Sequence, residues 1–355
     1  MRRPPLVALD MRRATLWPQT GIARYARNLF RSIGAIQPED LDIRAIDVDG
    51  SSTWPDAIAI GRGTPALRRA IQEQVRMTEL TRHLDLVHLP WSEGPLRPLC
   101  PLVLTLFDLA TIDNGSSYEL GFRAYYNTLL RAHMHVAAAV IVTSQATLDA
   151  ARERWPNQRY RLIPLAVDPC FRVDGDESRT VEPTILYTGG FDARKRVPDL
   201  IEAVARIRTD APSVQLVLSG QPPPVLVELA KRRLAKQVTF CGYLSDHELA
   251  GWYRKAWVVA YPTDMEGFGF PIVEAFASGT PVVATRAGST QEVAGGAALL
   301  VSTGDVEELA EALGRLIASD TLRSSLRAAG QRRASAFSWE QVARMTIDVY
   351  REVVG

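Results

Sequence analysis

The sequence has little cysteine, little lysine, no long hydrophobic run and no surplus of either charge. Its three cysteines, Cys100, Cys170 and Cys241, are odd in number and far apart, which excludes a disulfide framework and the C-x-x-C spacing of a zinc site. A reducing compartment is the expectation. Lysine and arginine total 41 against 40 acids, a formal net charge of +1, and that balance removes nucleic acid as the default partner. Only Lys195, Lys231, Lys236 and Lys255 are lysine. The arginine bias, beside abundant alanine, reflects a GC-rich genome more than chemistry, and it makes the "RK" pair at 194–195 stand out. The opening "MRRPPLVALDMRR" has arginines but too short an apolar run for a signal peptide or a membrane span. Cytoplasmic residence is therefore expected, with attachment to the inner face of the plasma membrane as an extension of it. Repeats of solenoid length and low-complexity segments are also missing.

The composition, 46% hydrophobic and 23% charged, suits packed cores, and 355 residues suit two domains. In the second half the apolar runs "TILYTGG", "VQLVLSG", "QVTFCGY", "WVVAYPT", "TPVVAT" and "AALLVS" alternate with segments of helical spacing such as "RVPDLIEAVARIR" and "DVEELAEALGRLIAS". Short, nearly continuous apolar strands between helices imply an α/β fold with parallel sheets covered on both faces. Ser245 followed by Glu248 is a capping-box signature for one helix start. The first half repeats the theme through "LVALD", "DLVHLP", "PLVLTLFD" and "AAAVIVTS". Proline, glycine and charge accumulate over 168–182, which places the domains at 1–170 and 171–337, with a terminal helix at 338–355.

Ligands of open parallel sheets bind at the carboxyl ends of strands, where helix N-termini present their amides. "EGFGFPIVEAF" (266–276) follows the strand "WVVAYPT" and precedes a helix opened by Pro271. Gly267 and Gly269 let backbone approach a ligand, and the helix start favours an anion. A carboxylate beside a phosphate repels it, so Glu266 and Glu274 match hydroxyls, where a two-oxygen acceptor suits a cis-diol. The alternative has Glu274 complementing the helix dipole and Glu266 solvated. "GGFDARKRV" (189–197) also follows a strand: Gly189 and Gly190 permit close approach, and Arg194 with Lys195 supply charge for a diphosphate. Alone it would read as a solvated basic turn. "PQTGIARYARN" (18–28) brings Gly21 to the start of a helix in the other domain. "DVD" (47–49) and "DGD" (174–176) echo a metal-binding D-x-D, but chance among 40 acids is the better account, so neither metal nor cofactor is expected. His133, His135 and His247 receive no chemistry, and His88 in "VHLPW" reads as structural.

The run "EGFGFPIVEAFASGTPVVATRAGSTQEVAGGAALLV", with its E-x7-E pair at Glu266 and Glu274, resembles the signature of retaining glycosyltransferases of family 4. "TGIARYARNL", "LYTGGFDARKRVPDLIEA", "FCGYLSDHELAGWYRKA" and "FSWEQVA" resemble other parts of that family in the same order, across nearly the whole chain. The resemblance implies the GT-B architecture. That means two Rossmann-like, doubly wound domains with a cleft between them, the acceptor on the first, the nucleotide sugar mainly on the second, and a last helix crossing back to the first. It implies Glu274 on the ribose hydroxyls and Glu266 on the transferred sugar. Amides around Phe268, Gly269 and Phe270 would contact sugar and phosphate, and Arg194 and Lys195 the diphosphate. Backbone near Tyr243 would meet the base, and Gly21 and Gly190 would permit close approach to the donor. It further implies transfer with retention of configuration, the leaving phosphate itself taking the acceptor's proton.

Two residues depart from the pattern. Phe107 stands where many relatives carry histidine, beside the retained Asp108, and Gly190 stands where some carry arginine. The expected donor is GDP-mannose, with UDP- or dTDP-linked hexose or rhamnose as alternatives. The expected acceptor is a saccharide or lipid-linked intermediate of bacterial polysaccharide or glycolipid synthesis. Phe107 also allows a non-catalytic protein that binds sugar nucleotide, and the architecture allows an epimerase or phosphorylase. Residues 66–84, with Arg68, Arg69, Arg76 and Arg82, read as a solvated helix, the alternative being contact with anionic lipid.

Overall fold

The computed structural model describes residues 3–48, 54, 57–59, 66–113, 119–173 and 179–355, without the side chains of 59 and 66–73. Runs of aliphatic and β-branched residues build its strands, because such side chains fill a sheet covered on both faces. Those of the first half are β1 (Leu6–Asp10), β2 (Asp42–Asp47), β3 (Ile58–Ala59), β4 (Leu86–Leu89), β5 (Leu102–Leu106), β6 (Ala139–Val142) and β7 (Tyr160–Leu162). They form one sheet in the order β3-β2-β1-β4-β5-β6-β7, parallel at every pairing. Its helices are α1 (Arg12–Leu16), α2 (Gly21–Ile36), α3 (Ala66–Thr81), α4 (Ala110–Asp113), α5 (Leu120–Val136) and α6 (Gln145–Arg154).

The second sheet contains β8 (Thr184–Tyr187), β9 (Gln215–Ser219), β10 (Val238–Gly242), β11 (Val258–Tyr261), β12 (Val282–Thr285) and β13 (Leu299–Val301). Its order is β10-β9-β8-β11-β12-β13, again parallel throughout. Between and after the strands run α7 (Val197–Ile207), α8 (Pro224–Leu234), α9 (Asp246–Lys255), α10 (Phe270–Ala277), α11 (Thr290–Ala294), α12 (Val306–Ala318), α13 (Asp320–Ala334) and α14 (Trp339–Val354). Every residue of β8, β11 and β12 is buried. The Ser245 capping box forms as its sequence indicates, with Ser245 Oγ accepting from the Glu248 amide and the Glu248 carboxylate accepting from the Ser245 amide at 2.8 Å.

The chain divides into Met1–Leu165 with Trp339–Gly355, and Ala166–Ser338. The first break thus falls at 165/166 rather than 170/171. Phe171 explains the difference, since it is fully buried with its ring edge-on to Tyr253 at 5.6 Å, inside the second unit. Helix α14 belongs to the first unit. There Trp339 lies 6.0 Å from the ring of Tyr25 on α2, and Arg351 pairs with Asp40 at 2.8 Å.

Strands β2, β3 and β7 and helix α1 were not legible in the sequence. Asp42, Arg44 and Asp47 interrupt the apolar pattern of β2, β3 and β7 are two and three residues long, and α1 carries two arginines in one short turn. Arg76 and Arg82 of the 66–84 segment are exposed, while the side chains of Arg68 and Arg69 lie outside the described residues, as do Asp49 and residues 174–176. No helix among the described residues is long and apolar enough to cross a membrane.

Both sheets contain a point where successive connections leave in opposite directions, between β1 and β4 in the first and between β8 and β11 in the second. The crevice beyond the carboxyl ends of such strands is where open α/β sheets bind ligands.

Candidate functional site

At the second of these points, β8 leads through Gly189 and Gly190 into a 3-10 turn at Ala193–Lys195, and β11 leads into the 262–269 loop. Lys195 is buried. Its ammonium donates to Glu266 Oε2 at 2.5 Å and to the Tyr261 hydroxyl at 2.9 Å, with Nζ 4.9 Å from the Tyr261 ring centroid. Tyr261 donates its own proton to the same Oε2 at 2.6 Å. Arg194 donates to the Met265 carbonyl at 3.0 Å and pairs with Asp192 at 3.0 Å, and its guanidinium lies 3.7 Å from Glu266 Oε2. Oε1 of Glu266 receives no hydrogen bond from the described residues.

Burial raises the pKa of the Glu266 carboxyl, but the charges of Lys195 and Arg194 and the hydrogen bonds from Lys195 and Tyr261 outweigh it, leaving the value below that of an ordinary glutamate. Glu266 is therefore an ionised, weakly basic acceptor at neutral pH. Such a group can hold a hydroxyl, and it is badly suited to abstract a proton. Tyr261 is shifted the other way, well above its usual value, first by burial and then by the Glu266 charge.

Glu274 lies in α10 and is 2% exposed. Its Oε2 accepts from the Tyr253 hydroxyl at 2.9 Å, and that hydroxyl lies 2.7 Å from Thr188 Oγ1, just beyond β8. Helix α10 starts at a left-handed Gly269 (φ 96°) and α7 at a left-handed Arg196 (φ 46°), and neither start has a side-chain cap. Helices α9 and α12 are capped by Ser245 and Asp305. Two helix N-termini without a side-chain acceptor at the ends of β8 and β11 suit an anionic ligand.

The loop between the glutamates is fixed from behind. Ser289 donates its amide to the Glu266 carbonyl at 3.0 Å and its hydroxyl to the Phe268 carbonyl at 2.9 Å. A Cβ on Gly288 would lie 2.3 Å from the Glu266 carbonyl oxygen, so only glycine fits there. Arg196 joins the same loop by pairing with Asp264 at 3.1 Å.

The structure thus brings Arg194, Lys195 and Glu266 into one cluster and sets Glu274 in the second turn of α10, which follows the same loop. Packing also favours glycine at 189, since a Cβ there would meet the Tyr187 hydroxyl at 2.3 Å. That hydroxyl donates to the Gly190 carbonyl. Phe268 turns its side chain inward, 4% exposed and packed on Phe270 and Phe337, so only its backbone is available to a ligand. Tyr243 follows the edge strand β10 and is 64% exposed. Gly21 begins α2 and Asp108 follows β5, both in the first unit. Asp108 Oδ1 accepts the Ala110 amide, at the first residue of α4, at 2.9 Å.

Sequence reasoning missed Tyr253, Tyr261, Thr188 and Ser289. The one available signal was spacing, since the two tyrosines are eight residues apart, as are the two glutamates.

Phe107 meets the ring of Tyr25 edge-on at 5.1 Å. His88 does not stand in for the histidine expected at 107. It is fully buried, with Nδ1 2.6 Å from the Tyr350 hydroxyl and Nε2 2.7 Å from Thr105 Oγ1, and burial pushes its pKa down to about 3. His133 is likewise held, by Ser92 and the Pro95 carbonyl. No group of three or more His, Cys, Asp or Glu among the described residues is placed to hold a metal.

Residues 182–319 match the family model described as glycosyl transferases group 1. Over 309 residues the chain is 35% identical to a D-inositol 3-phosphate glycosyltransferase of a Nocardioides species, covering 76% of this chain and 67% of that one. The chain belongs to the group 1 glycosyltransferases. It is also 37% identical over 203 residues to the MMP alpha-(1->4)-mannosyltransferase of Mycolicibacterium hassiacum, a match to 56% of this chain but only about half, 49%, of that relative. The sucrose-phosphate synthase of Thermosynechococcus elongatus superposes on this group 1 chain with a TM-score of 0.79 over 99% of both chains at 23% identity, which shows that they share the GT-B fold.

Proposed function

We propose that the protein transfers a hexose from a nucleoside diphosphate sugar, GDP-mannose as the first assignment, to a saccharide or lipid-linked acceptor, with retention of configuration and without a bound metal. The observation that carries this reading is the pair of carboxylates at the β8/β11 point, Glu266 held ionised by Lys195 and Arg194 and Glu274 buried on the Tyr253 hydroxyl, with two helix starts nearby that have no side-chain cap. Glu274 takes the ribose hydroxyls and Glu266, through Oε1, a hydroxyl of the transferred hexose. Arg194, Lys195 and the amides of the 266–270 loop meet the diphosphate. Negative charge develops on the departing diphosphate and positive charge on the sugar, so fixed charges and dipoles accelerate the reaction without a strong base. The low basicity of Glu266 suits this division, in which the acceptor's proton goes to the leaving phosphate.

Mannose is favoured over other hexoses because the Mycolicibacterium relative is named for mannosyl transfer. Incubation with GDP-mannose, UDP-glucose, UDP-N-acetylglucosamine and dTDP-rhamnose, followed by release of nucleoside diphosphate, tests the assignment. Release from GDP-mannose supports it, release from another donor alone moves it to that donor, and binding without release from any donor across an acceptor panel favours a non-catalytic protein.

A further inference from the structure

Both carboxylates of the 266/274 pair are held by the same construction. A phenol has one proton to give. Tyr261 gives its proton to Glu266 Oε2 at 2.6 Å, so its oxygen is the acceptor for the Lys195 ammonium at 2.9 Å. Tyr253 gives its proton to Glu274 Oε2 at 2.9 Å, so the Thr188 hydroxyl is the donor in its 2.7 Å contact with Tyr253. Each relay starts on the segment after β8, passes through a buried phenol and ends on a glutamate.

We infer that Tyr261 and Tyr253 are positioning residues that set the orientation of Glu266 and Glu274 toward the hydroxyls of the donor. The inference rests on the reading of the two glutamates as hydroxyl acceptors. A glutamate side chain has three rotatable bonds and loses that freedom only against fixed partners. The phenols are such partners: Tyr253 is fully buried against Phe171, and Tyr261 is 2% exposed beneath the Lys195 ammonium. For Glu266 the consequence is specific. Among the described residues, every donor and cation that reaches it converges on Oε2, which leaves Oε1 to accept a ligand hydroxyl along a set direction. Tyr261 stays protonated far above neutral pH, so it acts through Glu266 and takes no proton from substrate.

Tyr261→Phe and Tyr253→Phe remove one oxygen each and keep the packed rings. The measurements are a carbon-detected titration of glutamate carboxyls in the full chain, with Glu266→Gln identifying the Glu266 signal, calorimetric binding of GDP and UDP, and the rate of nucleoside diphosphate release. In Tyr261→Phe the Glu266 midpoint moves to higher pH by about half a unit or more, because the lost hydrogen bond favoured the ionised form. Release falls about tenfold with nucleotide affinity within twofold. In Tyr253→Phe nucleotide affinity falls about tenfold and the Glu266 midpoint stays in place. The inference is overturned when Tyr261→Phe leaves both midpoint and release as in the parent, or when the two variants lose the same quantity equally. Glu266→Gln and Glu274→Ala separate the two levels. When these alter release and binding but the phenylalanine variants do not, the relays alone fail; when all four variants leave both unchanged, the donor-site reading fails with them.

Discussion

The β1/β4 and β8/β11 points occupy equivalent places in their sheets, yet their carboxylates are treated differently. In the first, Asp10 accepts on both oxygens, Oδ1 from Arg12 Nε at 2.9 Å and Oδ2 from a terminal guanidinium nitrogen at 2.7 Å. Glu93 likewise takes Arg13 on both oxygens, and that guanidinium lies between the rings of Trp17 and Trp91 at 4.8 and 4.6 Å. In the second, Glu266 gathers its donors among the described residues on one oxygen. A carboxylate gripped at both ends is a fastening, whereas one gripped at a single end is an acceptor held ready. Topology alone offered two equivalent crevices, and hydrogen-bond accounting assigns the acceptor geometry to the second.

The strongest way to break the contrast is Glu266→Ala. The account predicts a loss of release rate on the order of 10²–10³, the range for removing one preorganised electrostatic contact. Asp10→Asn, by contrast, lowers the melting temperature and leaves the nucleotide dissociation constant within about threefold. A rate loss in Asp10→Asn matching that of Glu266→Ala, without loss of stability, would erase the distinction.

The buried histidine of the first unit gives the next effect. With its pKa depressed to about 3, His88 is neutral in the folded chain and titrates near its ordinary value of 6.5 when unfolded. Between those values the unfolded state binds the extra proton, so stability is complete above pH 6.5 and declines as pH falls toward 3, by about 1.4 kcal/mol per pH unit. In denaturant titrations from pH 7 to 5, His88→Gln should flatten that decline while lowering stability at pH 7 through its altered contacts with Tyr350 and Thr105. An unchanged slope would contradict a neutral, buried His88.

The smallest effect is assigned to Phe107→His. No protein base is required when the leaving phosphate takes the proton, so release should change less than about threefold. A gain of 100-fold or more would restore the histidine's importance and favour a parent chain that binds donor without using it.

Much of this was legible before the structure. The second sheet is written in nearly unbroken aliphatic strands, and the E-x7-E spacing places Glu266 in the loop and Glu274 in the helix. Strand β2 was hidden because Asp42 and Arg44 sit where only part of the strand is buried, and α1 because its short turn is held by tertiary ion pairs. At the site, residue type and spacing single out Arg194, Lys195, Glu266 and Glu274 as candidates, and the structure groups Arg194 and Lys195 with Glu266. The supporting residues are not singled out in this way, because a tyrosine in an amphipathic helix, as Tyr253 in α9, or at a strand end, as Tyr261 in β11, reads as core until its hydroxyl is placed. Tyr253 and Tyr261 are buried like core residues, yet each hydroxyl donates to a glutamate of the 266/274 pair. Gly189 shows a second use that spacing does not reveal, since a glycine read for ligand approach also makes room for the Tyr187 hydroxyl.

The division of labour between the two glutamates is tested most directly by calorimetric titration of the parent chain, Glu274→Ala and Glu266→Ala with GDP, UDP, dTDP and ADP. The account predicts that at least one nucleotide binds the parent, that Glu274→Ala weakens it about 10- to 100-fold through loss of the hydrogen bonds that its carboxyl makes to the ribose hydroxyls, and that Glu266→Ala changes it less than threefold. Equal weakening by both substitutions, or binding of no nucleotide to the parent, would contradict it.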